Sequence, residues 1–83
     1  MTKLNTMRQE IDAIDDQLIK LLQKRFDLSS EIGRLKKATA VQILDSNRES
    51  EILQKIPDSI YHDALKEIYL LLFSLSKKHQ EMV

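Results

Sequence analysis

The chain of 83 residues has no cysteine, one glycine, one proline, two phenylalanines and two tyrosines. The absence of cysteine excludes disulfides, thiolate nucleophiles and cysteine metal sites. So few turn-forming and aromatic residues argue against a sheet protein and favour a few long helices. At this length we interpret the chain as one domain, residues 1–83, with a small core.

An excess of charge of either sign is also absent. Lysine plus arginine equals aspartate plus glutamate at 13 each, so the formal net charge is zero. This balance gives no general attraction to nucleic acid or to an anionic membrane. The N-terminal segment MTKLNTMRQEID has no apolar signal region, and no apolar run approaches the roughly 20 residues of a membrane span. The sequence therefore predicts a cytoplasmic protein without nucleic-acid or membrane partners.

What the sequence does contain is helical periodicity. Apolar residues recur three and four positions apart from Leu4 onward, which predicts one helix of roughly 33 to 36 residues, about 50 Å long. We predict a loop over about 40–45, a short helix from Ser46 to near Ile56, and a third helix from Pro57 to about Glu81. The predicted fold class is all-α, with three helices in the order long, short, long.

The apolar stripe of the first helix is too long for two shorter helices of the same chain to cover. Its spacing is that of a coiled-coil seam, so a second copy of the chain is the expected cover. The sequence therefore predicts an intertwined homodimer. Gly33, inside this helix, costs about 1 kcal/mol relative to alanine. It is interpreted as a site where another helix packs closely, or else where a ligand approaches.

Several polar residues interrupt the apolar faces. Arg25 takes an apolar position in the stripe, and Lys36 lies on nearly the same face, about 16 Å along the helix. Both cations either lean inward around a small molecule or extend to solvent. Asp45, Arg48 and Glu49 share one face of the second helix, which is either part of a ligand site or a solvated salt-bridge face.

Three further residues could belong to the same ligand site. Ser76 and Gln80 continue the core side of the third helix, unless they are its polar, fraying end. Arg8 lies roughly 25 Å from Arg25 along the first helix, so it could join the same site only from a partner chain. Several cations desolvated together need a compensating anion, so the candidate ligand is a small dicarboxylate.

The chemistry open to such a site is limited. The sequence offers no Ser/His/Asp arrangement and no glycine-rich phosphate loop. His62 and His79 lie on different helix faces, so no metal site is expected, and no cofactor is expected either. The residues suit catalysis by orientation and electrostatics, without covalent or acid–base steps.

The segments MRQEIDAIDDQLIKLLQKRFDLSSEIGRLK and ILDSNRESEIL closely resemble the all-helical chorismate mutases, the AroQ class, and the resemblance extends over residues 4–80. It implies an intertwined dimer of three-helix chains with two equivalent active sites. It also implies the [3,3] rearrangement of chorismate to prephenate, on the route to phenylalanine and tyrosine, without a cofactor.

The resemblance implies that four residues bind the substrate carboxylates. Arg8 resembles the arginine that the partner chain lends to one carboxylate. Arg25 resembles the arginine that holds a carboxylate from within the chain, and Arg48 lies next to the carboxylates. Ser76 matches a serine near a carboxylate.

The remaining four residues resemble those around the reacting atoms. Lys36 resembles the lysine that donates to the ether oxygen of the breaking bond, and Gln80 resembles the glutamine on the other side of that oxygen. Glu49, with Asp45 nearby, resembles the group that binds the ring hydroxyl. Of the eight residues, the resemblance implies a catalytic role for Lys36, Gln80, Arg25 and Glu49.

Three alternatives stay open. An isochorismate pyruvate-lyase shares this fold, a related domain could bind chorismate or prephenate as a regulator, and a helical dimerisation module would need no site at all. A monofunctional enzyme is expected, although the chain could be a segment of a longer protein. A complex with another aromatic-pathway enzyme also stays open.

Overall fold

The computed structural model of the protein describes residues 2–39 and 46–82, which form three α-helices. Helix α1 spans Lys3–Thr39, α2 spans Ser46–Gln54 and α3 spans His62–Met82. The predicted order of long, short and long helices is confirmed. The loop predicted over 40–45 lies outside the described residues.

Helix α1 is one uninterrupted helix, as its apolar spacing predicted, and its 37 residues slightly exceed the predicted length. At its start the Oγ1 atom of Thr2 accepts a hydrogen bond from the backbone N–H of Asn5 at 3.2 Å. This bond satisfies one of the donors that a helix N-terminus leaves without a partner. At its end the Nζ atom of Lys37 donates to the carbonyl oxygen of Glu81 at 2.9 Å, so α1 also caps the last turn of α3.

Helix α2 ends at Gln54, before the predicted end near Ile56. The chain tightens there, and the backbone N–H of Ile56 donates to the carbonyl oxygen of Leu53 at 3.2 Å. Pro57 follows directly, and a proline disfavours helical geometry in the residue before it. The helix therefore stops about half a turn short of the position that the sequence suggested.

The start predicted for α3 at Pro57 is wrong, because the helix begins at His62. Ser59 holds the intervening turn: its carbonyl oxygen accepts from the N–H of His62 at 3.1 Å, and its hydroxyl oxygen accepts from the N–H of Tyr61 at 3.1 Å. Serine side chains bond to nearby backbone in this way and compete with a helix. Ile60, predicted as an apolar residue of α3, lies in this turn and is 89% exposed.

Helix α3 packs against the C-terminal half of α1. Gly33 marks the closest approach, since a Cβ atom at that position would lie 2.7 Å from the Cα atom of Gln80. Only glycine lets the two backbones come so close, which confirms the interpretation of Gly33 as a helix-packing residue. The buried side chains of the described residues lie along this contact: Ser29, Leu72, Phe73, Ser76 and Gln80.

No other helix of the described residues covers the N-terminal half of α1. Every residue over 3–21 is exposed, and the chain extends over 57 Å. The apolar stripe is therefore open along this half, at Leu4, Met7, Ile11, Ile14, Leu18 and Leu21. Monomeric proteins rarely expose so long an apolar surface, because burying it would stabilise them.

Candidate active site

A cavity of about 400 Å³ lies between the C-terminal half of α1 and helices α2 and α3. Each helix contributes two of the residues that the sequence analysis proposed for a site. These six residues are Arg25, Lys36, Arg48, Glu49, Ser76 and Gln80. The apolar part of the lining comes from Leu28, Ile32, Ile52 and Phe73. The six polar residues are thus brought together by tertiary packing, although they span more than half of the sequence.

The other two predicted residues do not line this cavity in a single chain. Arg8 lies on the exposed N-terminal half of α1, 17 positions before Arg25, which is about 25 Å along a helix. It can therefore reach such a cavity only in another copy of the chain. Asp45 lies outside the described residues.

Arg25 points across to α3 instead of extending to solvent. Its Nη1 atom donates a hydrogen bond to the hydroxyl oxygen of Ser76 at 2.9 Å, and its Cζ atom lies 5.9 Å from the centroid of the Phe73 ring. The hydrogen bond and the aromatic face together hold the guanidinium in one orientation. Because a guanidinium has five N–H donors, most of them stay available for an anion in the cavity.

The two charged residues of α2 that line the cavity have different partners. The Oε2 atom of Glu49 lies 2.8 Å from the Nζ atom of Lys77 on α3. The Nη1 atom of Arg48 lies 3.3 Å from the Oε2 atom of Glu51, one turn along the same helix. The first pair connects two helices, whereas the second is local, so the face of α2 is not merely a solvated salt-bridge face.

Ser76 and Gln80 are buried, so the interpretation of them as a polar, fraying helix end is wrong. Gln80 is only 9% exposed, and among the described residues its Oε1 atom has no hydrogen-bond partner. A buried amide oxygen without a partner costs free energy, so it calls for an explanation, and a role in ligand binding is one. Gln80 therefore lines the cavity and carries a buried polar atom whose hydrogen-bonding capacity the described residues do not use.

Two polar residues of the cavity were not among the predicted site residues. Ser29 is buried on the face of α1 between Arg25 and Lys36, where its spacing placed it, although no role in the site was predicted for it. Lys77 lines the cavity through its contact with Glu49. No spacing rule within one helix predicts that contact, because it depends on how α2 lies against α3.

The charges of the cavity suit a small organic anion. Its lining contains four cationic side chains, Arg25, Lys36, Arg48 and Lys77, and one carboxylate, Glu49. Cations gathered beside an apolar wall repel one another, and an anion with two carboxylates would compensate them. Within residues 2–39 and 46–82, no cluster of histidine and carboxylate side chains offers three ligands to a metal. None of the described helices has the length and apolar character needed to cross a bilayer.

The chain belongs to the type II chorismate mutase family, whose family model matches residues 7–81. Among curated proteins, it is 28% identical over 80 residues to a chorismate mutase of Methanocaldococcus jannaschii, with 95% of this chain and 81% of that protein covered. It is also 32% identical over 77 residues to a protein of Pyrobaculum aerophilum called 3-dehydroquinate dehydratase. That match covers 93% of this chain but only 24% of the Pyrobaculum protein, so the chain corresponds to about a quarter of that relative.

A solved structure of the same fold is that of chorismate mutase (form II) from Thermus thermophilus. It superposes with a TM-score of 0.88 at 24% identity, and 96% of each chain is covered. At this identity the likeness establishes the arrangement of the three helices. The assignment to the family rests on the sequence match over residues 7–81.

Proposed function

We propose that the protein is a chorismate mutase that converts chorismate to prephenate in phenylalanine and tyrosine biosynthesis. The observation that carries the proposal is that Arg25, Lys36 and Gln80 line one cavity in a chain of this family. The reaction breaks one C–O bond and forms one C–C bond within a single molecule. It therefore proceeds without a nucleophile, and binding in the reactive conformation supplies much of the rate enhancement.

The substrate carboxylates would be bound by arginines. Arg25 is held by Ser76 and Phe73, so its remaining N–H donors face a carboxylate without a further loss of side-chain freedom. Arg48 lines the cavity from the opposite helix, α2. Two guanidinium groups on different helices would fix the two ends of a dianion and select its compact, reactive chair.

The breaking bond would lie between Lys36 and Gln80. Negative charge grows on the ether oxygen as the C–O bond lengthens, and a donor aimed at that oxygen stabilises the transition state more than the ground state. Lys36 supplies an ammonium group, and the buried Gln80 amide supplies an N–H donor when its Nε2 atom faces the cavity. Glu49, with Asp45, would accept the hydrogen bond of the ring hydroxyl.

A homodimer would complete the site. The exposed stripe over the N-terminal half of α1 offers a second chain a continuous apolar surface. Arg8 lies on this same half, so an antiparallel partner helix would carry its Arg8 towards the cavity of the first chain. The proposal of a dimer and the proposal of a shared site therefore support each other.

The test is to follow chorismate consumption and identify the product for the wild-type chain and for Arg25→Ala. We expect prephenate from the wild type and about a thousandfold lower kcat/KM in the variant, since a desolvated charge contact to the substrate is lost. Arg34→Ala is the matched control, because Arg34 is an exposed arginine of the same helix that does not line the cavity.

Other outcomes would replace the proposal. Release of pyruvate from isochorismate, with little prephenate from chorismate, would identify a pyruvate-lyase. Saturable chorismate binding without turnover would identify a regulatory domain. Equal turnover by wild type and Arg25→Ala would remove the assignment of this cavity as the active site.

A further inference from the structure

Glu49 is held by an ion pair that joins two helices. Its partner Lys77 lies at 2.8 Å, and the side chains of Lys77 and Glu49 are 34% and 26% exposed. The pair of Arg48 with Glu51 on the same helix α2 is longer, at 3.3 Å, and its side chains are 58% and 63% exposed. A short, shielded pair is screened less by water and salt than an exposed one, so the Glu49–Lys77 contact is the stronger constraint.

The position of this pair matters because α2 is a helix of only nine residues. So short a helix is not stable by itself, and its placement depends on contacts with the rest of the chain. The Glu49–Lys77 pair fixes α2 against α3 at the wall of the cavity. It holds the Oε2 atom of Glu49, which leaves the Oε1 atom of the same carboxylate for another hydrogen bond.

We propose that Lys77 is a positioning residue that acts through Glu49. Lys77 orients the Glu49 carboxylate so that one oxygen accepts the substrate hydroxyl, and it balances the negative charge that would otherwise face a dianion. This inference rests on the proposed function, and it adds to the site a residue that does not itself contact the substrate. Removing Lys77 leaves an unpaired carboxylate beside an anionic ligand, which both misorients and repels the substrate.

The experiment is a double-mutant cycle measured by kcat and KM for chorismate. The variants are Lys77→Met, Glu49→Gln and the double variant, with Lys77→Arg as a rescue. Methionine keeps an unbranched apolar stem and removes the ammonium group, with its charge and its N–H donors. Lys78→Met is the matched control, because Lys78 is the next lysine of α3, is exposed and does not line this cavity.

We expect Lys77→Met to lower kcat/KM about tenfold, which corresponds to one oriented charge contact. Both kcat and KM should change, and Lys77→Arg should restore most of the loss. In the Glu49→Gln background the same Lys77→Met change should cost less than about twofold, because there is no carboxylate left to orient. Lys78→Met should match the wild type.

Three results would overturn the inference alone, provided that the wild type converts chorismate. One is a Lys77→Met variant with wild-type kcat and KM. A second is an equal loss in both backgrounds, which would mean that Lys77 contacts the substrate directly. The third is a loss explained by unfolding, seen as a lower thermal midpoint with unchanged kcat per folded site. A wild type that does not convert chorismate would instead overturn the proposed function, and this role of Lys77 with it.

Discussion

The two halves of α1 carry the same apolar periodicity but have different surroundings. Over residues 3–21 every position is exposed, whereas the half that follows packs against α3 and contains the buried Ser29 and Gly33. The exposed half keeps apolar residues at a regular spacing of three and four positions. The covered half contains the exceptions to it, among them Arg25 and Lys36.

The difference shows how one helix can serve two purposes. Among the described residues, the only buried hydrophobic side chains are Leu72 and Phe73, so the core of a single chain is very small. An exposed apolar stripe on such a chain is suited to pairing with another chain. A stripe interrupted by cations beside a neighbouring helix is suited to binding an anion. The exceptions to the apolar pattern therefore indicate the candidate site, and the regular part of the pattern indicates the expected interface.

The largest effect is expected from Ile14→Glu, which places a charge in the middle of the exposed stripe. If a second chain covers this half, the charge would be buried without a partner, so the dimer and nearly all chorismate turnover should be lost. Sedimentation and circular dichroism measure the assembly and the helix content. The control is Lys20→Glu on the opposite side of α1. It changes the net charge by more than Ile14→Glu does, and it should leave the assembly and the helix content unaltered. An intact, active Ile14→Glu dimer would rule out this half as the interface.

The second effect concerns Arg8, the charged residue of the exposed half that we propose to act in a partner's cavity. Arg8→Ala should lower kcat/KM about a hundredfold, as expected for loss of one arginine–carboxylate contact. When Arg8→Ala and Arg25→Ala chains are unfolded together and refolded in equal amounts, half of the dimers should be mixed, and each mixed dimer should regain one intact site.

Such a mixture should recover about a quarter of the wild-type turnover, because half of the dimers then have one of their two sites intact. Each variant refolded alone is the control. If mixed dimers form and no turnover returns, Arg8 does not act across the interface.

The smallest effect is expected from Gly33→Ala in the covered half. The added Cβ would lie 2.7 to 2.9 Å from the Cα, O and Cβ atoms of Gln80, so α3 must move away. We expect a net loss of about 2 kcal/mol in the free energy of unfolding, since overpacking outweighs the helix propensity gained from alanine. Urea denaturation measures the loss, and kcat should also fall because Gln80 is displaced.

Glu31→Ala, a change at an exposed position of the same half, should alter stability by less than about 0.5 kcal/mol. A Gly33→Ala variant as stable and as active as this control would show that the contact between α1 and Gln80 is not needed.

Most of the fold could be predicted from the sequence, because helical periodicity is a local property. The spacing from Leu4 onward predicted α1, and the role of Gly33 in close packing was anticipated. The start of α3 was not predicted correctly. Pro57 and Asp58 would allow a helix to begin there, but Ser59 forms a turn that competes with it. The turn and the earlier helix start differ by a small local free energy, and apolar spacing gives no information about that difference.

The sequence predicted which residues form the candidate site better than it predicted their contacts with one another. The polar residues on apolar faces indicated Arg25, Lys36, Ser76 and Gln80, and these four line one cavity. Lys77 was missed because its position depends on contact between two helices.

The sequence by itself determined the helical class, the long first helix and the set of residues available to bind an anion. These follow from which side chains recur at helical spacing, and that spacing is independent of neighbouring elements. Tertiary structure alone decided that Arg25 is held by Ser76, that Glu49 is held by Lys77, and that Gln80 lies buried against Gly33. Each of these contacts joins residues far apart in the chain, so its existence depends on how the helices pack.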